Sequence, residues 1–301
     1  MVELLNYSDH QYYPRKSFKG LEKLVIFPEG ELKSDGIPNG SVWMFNSPDH
    51  TYDPRILAND VGCGMSAFLI SNEFNYKTAA DKVADFMKNK RILGNGNHFV
   101  DICGPFEPLT DQSYPGHSVL VIHTDGKSFD NASPKTFEEV KLKTQKAINF
   151  RHNLGNDLAK LIGAYKLETL GDWPHNTVEV ENGSYVYRKG VIKVTPEKIH
   201  MLPMHVGSTI LFYTIHKDDI PVAHSMPHAS GRRGPTGDFK VSVEKAKEIR
   251  NMVYVPELVS DSSLRSVHPD CFNESTPIYR KFGKQMVGLG ETRIKAFIGK
   301  L

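Results

Sequence analysis

The sequence predicts an α+β fold: one domain over residues 1–301, with mixed or antiparallel sheets flanked by helices. Short runs rich in β-branched and aromatic residues alternate with Pro and Gly in the first third and again in the second half. Between them lies one long apolar stripe at helical spacing. No internal repeat, low-complexity tract or Pro/Gly/Ser linker divides the chain. At about 100–200 residues per domain, 301 residues make one large domain or two small ones.

Leu24-Val25-Ile26-Phe27 and Ser41-Val42-Trp43-Met44-Phe45 read as strands, punctuated by Pro28, Gly30, Gly36, Pro38 and Gly40. Ser66–Ile70 reads as a third strand and residues 78–90 as a helix. Ser118-Val119-Leu120-Val121-Ile122-His123 reads as a buried strand ending in a histidine. Val140, Ala147, Leu154 and Leu161 then recur at heptad spacing, which predicts a long helix to about residue 165. Ser133 is its expected N-cap with Pro134 in the first turn, and Gly155 marks a break. Tyr185-Val186-Tyr187 and Val191–Val194 are expected strands flanking Arg188-Lys189-Gly190. Thr209–Ile215 is an expected strand, and Val241–Val253 an expected helix. The pattern implies one core.

Composition excludes several classes. The chain is 39% hydrophobic and 24% charged, as in globular proteins rather than disordered ones. No apolar run approaches the ~18–20 residues of a membrane span. The N-terminal residues show no secretory pattern, and the three cysteines are too few and too far apart for a disulfide framework. These readings predict a reducing, cytoplasmic setting. A net charge of +2 does not advertise nucleic-acid binding, although basic groups cluster at Lys88–Arg91, Arg188-Lys189, Arg232-Arg233 and Arg280–Lys284.

Five stretches carry candidate chemistry. In Asn59-Asp60-Val61-Gly62-Cys63-Gly64-Met65, glycines on both sides of Cys63 allow a turn that aims a carboxylate and a thiolate at one point, a good ligand pair for a divalent metal. In Leu93–Asp101, glycines precede Asn97 and His98 and permit close approach of backbone to a phosphate or metal. His123 ends a buried strand, where sites often lie. Asp172-Trp173-Pro174-His175-Asn176 precedes the Arg188-Lys189 pair. Ser225–Gly234 places small residues around His228 with Arg232 and Arg233 beyond, a setting suited to attack on phosphate. Each stretch alone also fits a plain reading: a glycine turn, a polar loop, a core histidine, a hairpin tip or a basic loop.

Their order is more specific. DVGCGM, LGNGNHF, a strand-end His, PHN followed by YRKG, and PHASGRR together resemble the RtcB family of RNA ligases. The corresponding family stretches read roughly D(I/V)GCGM, GGGNHF, HSGSRG, HHN followed by RKG, and HGAGR. The resemblance runs from residue 60 to residue 233. It implies an RtcB-like domain around a dinuclear Mn(II) site. Asp60, Cys63 and His98 would hold one ion, and Cys63, His123 and His175 the other, with the thiolate bridging. It implies nucleotide and phosphate contacts at Asn97, Asp101, Asn176, Ser230 and Arg232, and guanine-pocket roles for Tyr279 and Lys300. Arg188 and Lys189 would face RNA, and His228 would be the guanylylated nucleophile.

The implied reaction is GTP-dependent joining of an RNA 2′,3′-cyclic phosphate or 3′-phosphate to a 5′-hydroxyl, in RNA repair or tRNA processing. The chain would act as a monomer, with an activating protein as a further partner. The alternatives are an RtcB-like metal-dependent phosphate hydrolase or nucleotidyltransferase, and a silent RNA-binding paralogue. Two stretches depart from the family pattern. Thr124-Asp125-Gly126-Lys127 replaces Ser/Thr-Gly-Ser-Arg after His123. Leu202-Pro203-Met204-His205-Val206-Gly207 replaces IPGSMG, which puts His205 where the family has a serine.

Overall fold

The computed structural model describes residues 2–12, 18–31, 36–57, 60–88, 90, 92–94, 97–109, 116–127, 130–234, 239–299 and 301. Asn59, Arg91, Asn95, Gly96 and Lys300, singled out above, lie outside the described residues. The elements run β1 (Glu3–Asn6), β2 (Leu21–Glu31), β3 (Asn39–Phe45), α1 (Pro54–Leu57), β4 (Gly64–Ile70), α2 (Tyr76–Met87), β5 (Phe99–Pro105), β6 (Glu107–Pro108) and β7 (Ser118–Thr124). There follow α3 (Phe137–Ile162), β8 (Lys166–Pro174), β9 (Asn176–Glu181), β10 (Ser184–Lys189), β11 (Val191–Lys193), β12 (His200–Pro203), β13 (Thr209–Ile215) and β14 (Ser225–Pro227). The short helices α4 (Val243–Ala246), α5 (Ile249–Met252), α6 (Asp261–Leu264) and α7 (Thr276–Phe282) lead to the long β15 (Met286–Ile298).

The protein is α+β and mostly sheet. A five-stranded sheet has the order β1-β2-β3-β10-β9, with β1 parallel to β2 and the other pairs antiparallel. An antiparallel sheet of eight strands runs β12-β13-β15-β5-β7-β4-β8, with β6 beside β15, and β11 pairs with β14. In β15, residues 286–293 pair with β13 and 294–298 with β5. Bulges at Phe212/Tyr213 and Ile294/Ala296 accompany the change. Among the described residues no helix is long and apolar enough to cross a membrane.

The buried side chains form two clusters, where the sequence suggested one. Strand side chains alternate between faces. Val25 and Phe27 of β2 therefore enter the larger cluster with Val42, while Leu24 and Ile26 enter a smaller one with Trp43, Phe45 and Tyr187. The larger cluster fills the space around β7, every residue of which is buried.

The long helix begins later than expected. Thr136, not Ser133, is the N-cap: its hydroxyl accepts the Glu139 amide at 3.2 Å, and the Glu139 carboxylate accepts the Lys135 amide at 2.6 Å. The helix does not break at Gly155, because that glycine makes room for the Phe68 ring. It stops at Gly163 in the left-handed conformation. The expected helix 241–253 is instead two turns, α4 and α5. Between them the amides of Glu248, Arg250 and Asn251 bond to carbonyls three residues back, so the α-helical ladder is interrupted.

Candidate metal centre

Strand register brings the predicted ligands together. β5, β7, β4 and β8 are consecutive antiparallel neighbours, so the start of β5, the end of β7, the start of β4 and the end of β8 share one edge of the sheet. His98 immediately precedes β5, His123 is the penultimate residue of β7, Cys63 precedes β4, and His175 follows β8. The pairings Phe99↔His123, Gly64↔Thr124 and Gly64↔Pro174 set the alignment.

The Cys63 turn is held by backbone bonds. Gly62 has φ of 87° and the Cys63 amide closes the turn onto Asp60 O at 3.2 Å. Gly62 N donates to Asn176 O at 3.1 Å, and His175 N donates to Cys63 O at 2.9 Å. Asn176 Nδ2 donates to Asp60 O at 3.2 Å, and its Oδ1 accepts Gly190 N at 3.0 Å. Asn176 thus lines the cavity but spends its side chain on tying three segments together.

The Cys63 Sγ lies 3.5 Å from His98 Nε2, 3.6 Å from His123 Nε2 and 3.1 Å from His175 Nε2. The ligand atoms of Cys63, His98 and His123 all fall within 4.8 Å of one another, and all three residues are buried. A tetrahedral ion with metal–sulfur bonds of about 2.3 Å and metal–nitrogen bonds of about 2.0–2.1 Å sets its ligand atoms about 3.6 Å apart. The first two separations fit this, and thiolate with imidazole is a donor set for borderline divalent ions. Asp60 lines the same cavity, with Oδ1 accepting the Gly126 amide at 3.0 Å.

The electrostatics follow from burial. Desolvation pushes the Cys63 thiol well above its ordinary range, reinforced by the charge of Asp60 and opposed by that of Arg151. Desolvation and then the neighbouring His98 hold His123 well below its ordinary value; desolvation and then His228 do the same for His175. Neutral imidazole is the form that ligates metals.

His228 stands beside this cluster, its ring centroid 4.3 Å from that of His175. The pairing Val191↔Pro227 between β11 and β14 sets His228 opposite Gly190, and His228 Nδ1 donates to Gly190 O at 2.6 Å. That bond keeps the lone pair on Nε2. Burial pulls the imidazole down to about 4. Both histidines line a cavity of about 360 Å³ together with Asn97, Asp101, Lys189 and Arg232. Asp101 is buried on β5, and desolvation raises its carboxyl well above the usual range. Asn97 and Asp101 each leave a side-chain oxygen without a partner among the described residues.

Other expected contacts are placed differently. Arg188 is fully buried rather than facing RNA: side chains alternate along β10, and its guanidinium turns inward. It donates to Glu181 Oε1 at 2.8 Å, Ser225 Oγ at 2.9 Å and Ala223 O at 3.0 Å. The Arg188-Lys189 pair ends strand β10; the β9–β10 hairpin tip is Asn182-Gly183. Ser230 is buried and donates to Met204 O at 3.2 Å. The Arg232 guanidinium donates to Ser266 O at 2.6 Å and Phe239 O at 3.3 Å. Tyr279 is 40% exposed on α7 and does not line this cavity. Lys300 lies outside the described residues.

Two buried features escaped the sequence reading. Glu29 is 3% exposed on the cavity wall, and neither carboxyl oxygen bonds another residue among the described ones. Desolvation raises its carboxyl well above the usual range. An acid following an apolar strand run was its legible signal. Arg151 lies between Ala147 and Leu154 on the buried stripe of α3 and pairs with Asp172. A cation on an apolar stripe was the signal there.

Comparison with protein-family models and with curated proteins yields no match for this chain.

Proposed function

We propose that this protein is a metal-dependent RNA ligase of the RtcB type, joining RNA 3′-phosphate or 2′,3′-cyclic phosphate ends to 5′-hydroxyl ends through a histidine–GMP intermediate. The observation that carries this reading is the adjacency of two chemistries. A buried Cys63, His98, His123 group can hold a divalent ion, and His228 presents an unprotonated Nε2 in the same cavity. The cationic Lys189 and Arg232 on the wall suit an anionic substrate.

Asp60, Cys63 and His98 would hold one Mn(II), and Cys63, His123 and His175 the other; Cys63, His98 and His123 already form one buried group. When bound, the metal neutralises phosphate charge and aligns the reacting groups. His228 Nε2 attacks the α-phosphate of GTP: an N–P bond forms and the P–O bond to pyrophosphate breaks. Gly190 O holds the Nδ1 proton throughout, which stabilises the positive ring as it develops. Water first opens a 2′,3′-cyclic phosphate to the 3′-phosphate. That phosphate takes GMP as the N–P bond to His228 breaks, and the 5′-hydroxyl then attacks the activated phosphorus, forming the phosphodiester and expelling GMP.

Incubation with Mn(II) and α-labelled GTP should leave acid-labile label on the wild type and none on His228→Ala. RNA with a cyclic phosphate and a 5′-hydroxyl should then be joined. Unlabelled wild type would overturn the mechanism, and label surviving in His228→Ala would overturn the nucleophile assignment. The inward position of Arg188 favours a second reading, nucleotidyl transfer or phosphate hydrolysis without joining. Its signature is labelled protein with RNA left unjoined.

A further inference from the structure

A buried guanidinium is costly unless every donor is met and its charge is countered. Arg151, in the middle of α3, is 0% exposed. Its Nε donates to Asp172 Oδ2 at 2.8 Å and its Nη2 to Asp172 Oδ1 at 2.5 Å, a two-pronged pair. The third arm, Nη1, leaves that pair and reaches Gly62 O at 2.9 Å and Thr124 Oγ1 at 3.3 Å. Asp172 is held in turn by Ser66 Oγ on the neighbouring strand.

The sequence positions of these partners are the informative part. Gly62 immediately precedes Cys63, Thr124 immediately follows His123, and Asp172 lies three residues before His175. One side chain therefore grips three separate ligand-bearing segments, each within three residues of its ligand. The approach needs Gly64: a Cβ there would stand 2.9 Å from Nη2. Among the described residues, no other side chain of α3 hydrogen-bonds all three of these segments.

We propose that Arg151 is a positioning residue for the metal centre: it sets the separation of Cys63, His123 and His175 and places a permanent positive charge behind the thiolate. The inference rests on the reading of the Cys63 group as a metal site. Lysine cannot substitute, because a single ammonium cannot serve both Asp172 oxygens and Gly62 O at once. Ligand-orienting partners of this kind typically change metal affinity by about 10–100-fold when removed.

Titration of the full chain with Co(II), followed by its thiolate-to-cobalt charge-transfer absorption, tests this. Wild type should show the band. Arg151→Lys and Arg151→Met should bind Co(II) about 10–100-fold more weakly, with an altered band at saturating metal and an unchanged far-ultraviolet dichroism spectrum. A merely structural role would lower the melting temperature and leave the saturated band as in wild type, which would overturn the proposal. If Arg151→Met does not fold, Arg151→Lys and the isosteric Asp172→Asn decide, with the same expected changes. No thiolate band in the wild type would remove the metal reading itself and the proposal with it.

Discussion

His228 donates its Nδ1 proton to the carbonyl of Gly190 across 2.6 Å, while the amide of Gly190 donates to the carbonyl of His175, also at 2.6 Å, and to Asn176 Oδ1 at 3.0 Å. The candidate nucleophile and a candidate metal ligand are thus oriented by one residue. Gly190 has φ of 68°, in the left-handed region, and a Cβ there would meet the Gly40 amide nitrogen at 3.0 Å. Gly190→Ala is expected to cost about 1–2 kcal/mol. Because the strain falls on the carbonyl that holds His228, protein–GMP formation should slow in material that is still folded. Denaturant melts paired with single-turnover labelling at a temperature below unfolding check both halves.

Glu29 gives a pH-dependent outcome. Burial raises its carboxyl well above the ordinary value of 4.5, so folding favours the protonated form. The stability tied to that form is complete below 4.5. It declines as pH rises towards the folded-state value, as proton linkage requires. Glu29→Gln removes the titration while keeping the shape. Its melting temperature should exceed that of wild type at pH 8, and the advantage should vanish by pH 4. Melting curves of both proteins across this range measure the difference directly, and a glutamine variant less stable than wild type at every pH would contradict the account.

Gly155 tests the packing of α3. A Cβ at this position would lie 2.5 Å from Phe68 Cε2 and 2.6 Å from its Cζ. Alanine improves helix propensity by about 1 kcal/mol, but overpacking against a ring in the core costs about 1–3 kcal/mol. Gly155→Ala should therefore be neutral to destabilising. The double variant with Phe68→Leu should recover part of the loss, read as a coupling in a double-mutant cycle of denaturation midpoints.

These residues also show how far sequence reasoning reaches. The strands at 41–45, 66–70, 118–123 and 209–215 were legible because β-branched and aromatic runs are local signals. The Cys63 turn and the histidines at strand ends were legible because glycines on both sides of a cysteine, and an imidazole ending an apolar run, are distinctive local patterns. The hidden facts depend on register and on which face a side chain takes. The pairing Gly64↔Pro174 joins residues far apart in sequence, and no local pattern encodes it. Ser133 and Thr136 are both capping residues by type; Glu139, three residues after Thr136, bonds the Thr136 hydroxyl through its amide and the Lys135 amide through its carboxylate, and this fixes the second. Arg188 and Lys189 look alike in the sequence, yet one ends up within an ion pair and the other on the cavity wall. The β9–β10 turn carried an Asn-Gly signal at 182–183 that would have identified the hairpin and moved Arg188-Lys189 away from its tip.

Arg188 separates a stability role from an RNA-binding role. Its guanidinium is 0% exposed and pairs with Glu181, whose side chain is 17% exposed. Removing one partner of a fully buried pair costs about 3–5 kcal/mol. The partial exposure of Glu181 screens some of this, so Glu181→Gln should lose less than that full cost. Arg188→Met leaves the Glu181 carboxylate without its main partner but able to turn towards Lys193, 3.0 Å away, so its cost should be smaller again. Neither change should alter how RNA affinity depends on salt. A side chain that neutralises a phosphate contributes about 0.7 to the slope of log affinity against log salt for single strands, and Arg188 is not placed to do so. Lys189→Met, which removes a cation from the cavity wall, is the contrasting variant and should reduce the slope. Filter-binding titrations of single-stranded RNA at several salt concentrations distinguish the two. A reduced slope in Arg188→Met, at a temperature where the protein is folded, would show that the side chain leaves its ion pair to meet RNA.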